Sequence, residues 1–421
     1  MNIRNVYFGA LLTAAAGFPA ATVLAQEAAT ATTLTEAVTS GQAHVYLRYR
    51  YEFVDQDFNR VTGVPFTENA NASTLRVRLN YKTGSWRDWS GFGEFDYVGH
   101  LLLTDFNSGA GTSPGKEQFP VVADPEGADL NQLYLDYDGF SDTNLRFGRR
   151  RILLDNQRFV GGVGWRQNEQ TYDSVSGTFK GLPNTELFVS YVGQVNRIFG
   201  ERSAAGKDDT NTVLLNAKIK LMDGWSVVPY GYYIDSKDFP VFSTGTLGAR
   251  LAGSIPAGDG KISLVGEIAS QTDVANAPVS YRANYLHFDL LWAMKNGLSL
   301  GLAFESLGGD SNATGEAFRT PLATLHKFQG WADQFLATPN AGVDDLNVTA
   351  KYQWKKWNML ARYHDFSAQS GSANWGSEFD ISVGRSFNER FGVLFKGAFF
   401  SADDAAFSDV TKFWIMLTAN Y

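Results

Sequence analysis

Arginines recur in this sequence at spacings that would let several of them meet one anion. Arg48 and Arg50, then Arg76 and Arg78, stand two residues apart, and the run RFGRRRILLDNQRF places Arg146, Arg149, Arg150, Arg151 and Arg158 within fourteen residues. A guanidinium stays charged in a protein and grips a carboxylate or phosphate through two parallel N–H bonds. The chain that carries them is nonetheless acidic, with 36 basic against 44 acidic side chains and a formal charge of −8. That balance excludes a general nucleic-acid-binding protein, which would show a basic face. Three roles remain for the cluster: a surface anion site, a network braced by acids, or the lining of an anion path.

Other chemistry is weakly represented. GTSPG at 111–115 has the spacing of a nucleophile elbow, but that device needs a strand entering and a helix leaving the serine. Here Pro114 and the run NSGAGTSPG read as a loop. Asp55, Asp57 and Asn59 begin like a calcium loop, yet Arg60 stands where glycine is wanted and Phe66 where the closing glutamate should be. His44, His100, His287, His326 and His364 show no i, i+4 pairing and no H-E-x-x-H spacing, and cysteine is absent. No metal centre, cofactor or disulfide framework is expected.

The elements that must position the arginines are strands. The N-terminus, MNIRNVYFGALLTAAAGFPAATVLAQ, has Arg4, an apolar stretch from Val6 and small residues before a cut expected after Ala25. This is a secretory signal pattern, and Pro19 and the Val23-Leu24-Ala25 ending favour it over an uncleaved anchor. Beyond it no apolar run approaches the ~20 residues of a membrane helix. From residue 43 onward, apolar and polar residues alternate. Val45, Leu47, Tyr49, Tyr51 and Phe53 oppose His44, Arg48, Arg50 and Glu52; Leu75, Val77, Leu79 and Tyr81 oppose Arg76, Arg78, Asn80 and Lys82. The pattern returns at 211–221 and 343–354. Alternating segments of about ten residues are the mark of a transmembrane β-barrel, although a soluble sandwich alternates too.

Two features decide for the barrel. Short links (82–89, 138–143, 180–185, 221–224) mostly alternate with longer ones (54–72, 103–128, 149–172, 193–211), as periplasmic turns alternate with outer loops. The chain also ends in TKFWIMLTANY, with Phe413, Ile415, Leu417, Ala419 and Tyr421 on one face. We therefore expect an all-β fold, a transmembrane antiparallel β-barrel of about 18 strands with a short helix in a long extracellular loop. The expected domains are a signal peptide over 1–25, a short periplasmic segment over 26–42 and the barrel over 43–421. The helix is read at 320–336, TPLATLHKFQGWADQFL, where Thr320 suits an N-cap, Pro321 the first turn, and Leu322, Leu325, Phe328, Trp331 and Phe335 one stripe.

An arginine facing lipid at the midplane costs about 2–4 kcal/mol, so the charged residues that alternate with apolar ones point inward. The expected lumen cations are Arg48, Arg50, Arg76, Arg78, Arg146, Arg150, Lys218, Lys220, Arg250, Lys351, Arg362 and Lys396. The acids are Glu52, Glu94, Asp96, Asp136, Glu267, Asp289, Glu305, Asp345, Glu378 and Asp380. Arg149, Arg151, Arg158, Arg166, His326 and Trp331 fall in outer loops or at the rim.

Three stretches together resemble the alginate-export family of bacterial outer-membrane channels: LRYRYEFVDQDF, RFGRRRILLDNQRFVGGVGWRQNEQTYD and TPLATLHKFQGWADQFLATPNAGVDDL. The resemblance implies an eighteen-stranded barrel with an arginine-rich constriction that passes a polyuronate. It puts that role on Arg48, Arg50, Arg76, Arg78, Arg146 and Arg150, with Arg166 and Arg362 beside them. One departure is clear: the dedicated alginate secretion pore is plugged by a long periplasmic turn near its end, and the corresponding link here, FNERF at 387–391, is short. The function expected is passive passage of anionic solutes, acidic oligo- or polysaccharide such as alginate foremost. A weakly selective diffusion porin and an outer-membrane hydrolase are the alternatives. The expected partners are outer-membrane lipid and lipopolysaccharide, the anionic glycan and the barrel-insertion machinery, with no nucleic acid.

Overall fold

The structure is a computed structural model that describes residues 31–421, so the expected signal peptide lies outside the described residues. A short helix, α1 (Leu34–Thr39), comes first. Thr33 caps it by accepting the Glu36 N–H at 3.1 Å, and Gly84 N–H to Ala37 O (2.8 Å) seats it on a turn. Eighteen strands follow. The first six are β1 (Gln42–Gln56), β2 (Ala70–Lys82), β3 (Trp89–Asp105), β4 (Gly127–Phe140), β5 (Thr143–Arg150) and β6 (Thr171–Phe179). The next six are β7 (Thr185–Asn196), β8 (Lys207–Met222), β9 (Trp225–Ile234), β10 (Thr244–Ala257), β11 (Gly260–Asp273) and β12 (Arg282–Met294). The last six are β13 (Leu298–Leu307), β14 (Val343–Trp354), β15 (Trp357–Ser367), β16 (Asn374–Ser386), β17 (Phe391–Ala402) and β18 (Val410–Asn420).

Each strand pairs antiparallel with its chain neighbours, and β1 closes on β18 from Tyr46↔Asn420 to Gln56↔Val410. Closure leaves no open edge, which is what a sheet needs in hydrocarbon. The alternation read in the sequence is the alternation of faces. Phe95, Tyr97, Leu215, Leu346, Val348, Phe395 and Ile415 are exposed outward, while Arg78, Asp96, Asn216, Asp345, Asn347, Lys396 and Trp414 are buried inward. On β9, whose face the sequence leaves ambiguous, Val228, Tyr230, Tyr232 and Ile234 point in. The links at the end nearest α1 are tight. At Gly297 (φ 90°) a Cβ would sit 2.5 Å from Gln353 O, so that turn requires glycine.

The wall is uneven. β3 has 17 residues and β8 has 16, but β5 has 8 and β6 has 9. The difference arises because the chain turns into the lumen after Arg150 and rejoins the wall at Thr171. The 308–342 loop also folds inward. The helix expected over 320–336 is absent there, and a single 3₁₀ turn, Leu325–Lys327, takes its place. Gln329 (φ 53°), Gly330 (φ 81°) and Asp333 (φ 63°) break helical geometry. The apolar stripe is buried residue by residue against the lumen wall rather than along one helix face.

Candidate functional site

The arginines of β1 and β2 hold the first inward loop (151–170) to the wall. Arg48 donates from Nε to Gln167 Oε1 (2.9 Å), from Nη1 to Gly164 O (2.9 Å) and from Nη2 to Arg166 O. Arg50 pairs with Asp124 and reaches Trp165 O. Arg78 grips Asp96 with two bonds (2.7 and 2.6 Å) and Glu169 with a third (2.8 Å), and Arg76 stands 3.4 Å from Glu169. In register Arg48 lies directly opposite Arg76. Two like charges so placed repel, and the loop's carbonyls and Glu169 offset that repulsion.

The consequence for access is plain: Arg50 is fully buried, and Arg48, Arg76 and Arg78 are nearly so. They face the lumen as their parity requires, but the loop covers them. They brace the first inward loop against the wall. Glu169 is held well below the ordinary carboxylate range: burial alone would raise it, but Arg151, Arg78 and Arg76 outweigh that cost. Asp124 is lowered in the same way by Arg50 and Arg166. Removing one member of such a buried pair strands the other charge and costs about 3–5 kcal/mol.

Five of the six residues assigned by sequence to the rim, Arg151 among them, lie inside instead. Arg151 grips Glu94 and Glu169; β5 ends at Arg150, so strand parity does not govern Arg151, which lies where the chain turns into the lumen. Arg158 is buried against Glu305 (2.7 Å) and Phe328. Arg166 Nη1 donates to Glu52 at 3.0 Å. His326 and Trp331 travel inward with the second loop (308–342). Only Arg149 remains at the top of the wall, bound to Asp173 (2.7 Å) and Glu201 (3.0 Å).

The second loop is fixed to β16–β18. The Trp331 and Ala332 N–H groups both donate to Glu378 Oε1, the latter at 2.8 Å, and a Cβ at Gly330 would collide with that carboxylate. Asp333 accepts from Lys412 (2.9 Å), Arg166 (3.4 Å) and His326 Nδ1 (2.7 Å). Burial pushes His326 down to about 3, so it is neutral, and its Nε2 accepts from Lys396 Nζ at 2.6 Å. Lys396 itself sits among the rings of Trp331, Trp165 and Trp414 (3.6, 4.2 and 5.0 Å), an arrangement that suits a desolvated ammonium.

The two loops also join each other. Gly161 N–H bonds Leu322 O (2.8 Å), Thr324 N–H bonds Gln157 O (3.0 Å), and Lys327 Nζ bonds Asn156 O (2.8 Å). Phe159 packs on Tyr230, Tyr285 and Phe318, and Phe335 on Phe366 and Phe407. The result is a septum anchored around the mid-lumen from β1 to β18.

A second set of cations makes no close ion pair, although Asp380 lies opposite Arg362 in register and Asp289 and Asp136 act on Lys351 and Arg150 at longer range. Arg150, Lys218, Lys327, Lys351 and Arg362 point into the lumen, stay partly or wholly open to solvent, and form no ion pair among the described residues. Arg150 donates to Ser176 Oγ (2.8 Å) and Arg362 to Thr349 Oγ1 (2.7 Å). Arg362 pairs in register with Thr349, two residues from Lys351, so these two cations are diagonal neighbours on β14 and β15. Lys327 faces Arg250 and Lys351 from the loop above. Arg146 is different: Asp136 clasps it with two bonds. Sequence reading placed Lys218, Lys351, Arg362 and Arg150 in the lumen but missed Lys327, Asp124, Glu169 and Asp333. Loop residues carry no periodicity that would reveal which way they point.

Burial, with Arg250 and Lys351 adding to it, brings Lys327 down to about 8. It is charged below that pH and loses its proton as pH rises through it. The anion preference of the lumen should therefore fall between about pH 7 and about pH 9, read as a shift in reversal potential under a salt gradient. Lys327→Met should abolish the shift; an unchanged shift in that variant would assign it to another group.

The remaining motifs show no machinery. Ser113 Oγ takes the Ser108 N–H (2.8 Å) and contacts Asn107 Oδ1 (3.3 Å), which is not a base. Asn59 Oδ1 is occupied by the Val61 and Thr62 N–H groups (3.0 Å each).

Residues 46–191, which take in β2 to β6, most of β1 and β7, and the first inward loop, match the family described as Alginate export. No curated protein sequence matches the chain. Among solved structures, Pseudomonas aeruginosa OccK9 (OpdG) is 15% identical with a TM-score of 0.69, covering 91% of this chain and 99% of that one. P. aeruginosa OpdK with vanillate is 13% identical at a TM-score of 0.67, covering 90% and 98%. Acinetobacter baumannii OccAB4 is 12% identical at 0.67, also covering 90% and 98%. At such identities the likeness is one of fold. This chain is thus a bacterial outer-membrane β-barrel of eighteen strands whose residues 46–191 match the alginate-export family.

Proposed function

We propose that the barrel is a passive, non-enzymatic channel for anionic solutes, acidic oligosaccharides such as oligouronates foremost. The observation that carries this reading is the set of unpaired inward cations, Lys327, Lys351 and Arg362 above all, in a lumen where most other arginines are neutralised. A low-dielectric wall focuses their field across the path. Single ammonium and guanidinium groups hold a carboxylate without enclosing it, which permits release, as conduction requires. The alginate-export match supports a uronate as the solute.

A second reading has its own support. The septum narrows the mid-lumen, which favours small carboxylates over a polymer, and OpdK was solved with vanillate. Block of single-channel current separates the two. On the first reading, oligouronates of several residues interrupt the current at concentrations where neutral glycans of equal length do not, and Arg362→Glu weakens the block. Block by monomers alone would favour the second reading. Equal block by neutral and acidic glycans would overturn both.

A further inference from the structure

The upper ends of β12 and β13 carry a polar group on the face that meets lipid. Lower down that face is apolar, with Leu286, Phe288, Leu300 and Leu302 exposed. Above them the outward positions become Arg282, Asn284 and Ser306, at the rim of an open cavity of about 190 Å³ bounded by Gly308 and Gln369. Gln369 Oε1 is occupied by the Gly309 N–H (3.2 Å). The side chains of Arg282, Asn284 and Ser306 have no hydrogen-bond or ion-pair partner among the described residues. Their neighbours Ala283 and Tyr285 point into the lumen and are buried, so the outward direction of Arg282 and Asn284 follows from strand alternation.

The switch from leucine and phenylalanine to arginine and asparagine along one face marks the level where hydrocarbon gives way to headgroups. A guanidinium with an amide and a hydroxyl beside it offers several convergent donors and no carboxylate in the lining. One acid, Asp344, lies on the same face, opposite Ser306 on β14, and is not in that lining. Such a donor set matches a phosphate ester, for which arginine's planar fork is suited. The arginines that the sequence places at the rim are otherwise engaged: Arg149 with Asp173 and Glu201, Arg151 with Glu94 and Glu169, Arg158 with Glu305. We propose that the Arg282 cavity binds the phosphorylated headgroup of an outer-leaflet glycolipid.

The test is native mass spectrometry of the whole barrel in detergent, titrated with lipid A. Arg282 is exposed and unpartnered, so Arg282→Glu leaves the fold intact. Loss of one charge-assisted contact and its replacement by repulsion should weaken lipid A binding roughly tenfold. Dephosphorylated lipid A should bind the native barrel as weakly as lipid A binds the variant. Unchanged binding by Arg282→Glu, or equal binding of the dephosphorylated lipid, would overturn the proposal. So would full competition by millimolar inorganic phosphate, which would assign the cavity to the free anion.

Discussion

Excising Leu322–Phe335 and closing the gap with a short glycine–serine linker raises single-channel conductance several-fold. The wall of this barrel does not depend on that segment. Each strand is hydrogen-bonded to both neighbours through its own register, and β1 closes directly on β18. A barrel of this strand number leaves a water-filled interior unless something occupies it. Here the occupant is the pair of inward loops, and the second is held to the wall by Glu378 on two N–H groups, Lys412 on Asp333 and Phe335 among Phe366 and Phe407, and to the first loop by bonds such as Gly161 N–H to Leu322 O. The first loop stays in place after the excision, because Arg48, Arg50, Arg76 and Arg78 grip it from β1 and β2. Conductance should therefore rise without reaching that of an empty barrel. A variant that inserts, resists heat like the parent and conducts no better would show that the solute path does not pass the 308–342 loop.

The second large effect concerns charge. Lys351→Glu with Arg362→Glu turns two inward cations on adjacent strands into two anions, in a part of the lumen that keeps access to solvent. The field there reverses, and the ion preference should reverse with it. Neutralising Arg76 should behave differently. That guanidinium is buried against Glu169 and the Gln167 carbonyl, so Arg76→Gln loosens the loop while leaving the sign of selectivity alone. The contrast between the two variants separates arginines that brace from cations that solutes meet.

Much of this was legible in the residues. Alternation in LRYRYEF and STLRVRLNYK gave strands and their inward faces, because a side-chain period of two admits one choice of face once the other must meet lipid. The strand count and the aromatic C-terminal strand followed from the same rule. What could not be read was the course of the loops. Arg151 lies one residue past the end of β5, where strand parity stops, and the 320–336 stripe looked helical because its apolar residues fall at helical spacing. In the fold those residues instead fill separate niches, with Gln329, Gly330 and Asp333 in left-handed conformations. The arginine ladder was placed on the correct face, but its partners in the loop that covers it lie 91 to 119 residues away in sequence, as the Arg78–Glu169 and Arg48–Gln167 bonds illustrate. Local pattern carries no information about such a pairing.

The central claim is that unpaired cations in and beneath the septum make this an anion path. Its most direct test is the reversal potential of the purified barrel in a planar bilayer under a potassium chloride gradient. The native barrel should reverse on the chloride side, and Lys351→Glu with Arg362→Glu should reverse on the potassium side. A native barrel that prefers potassium, or a double variant that leaves the potential unmoved, would contradict it.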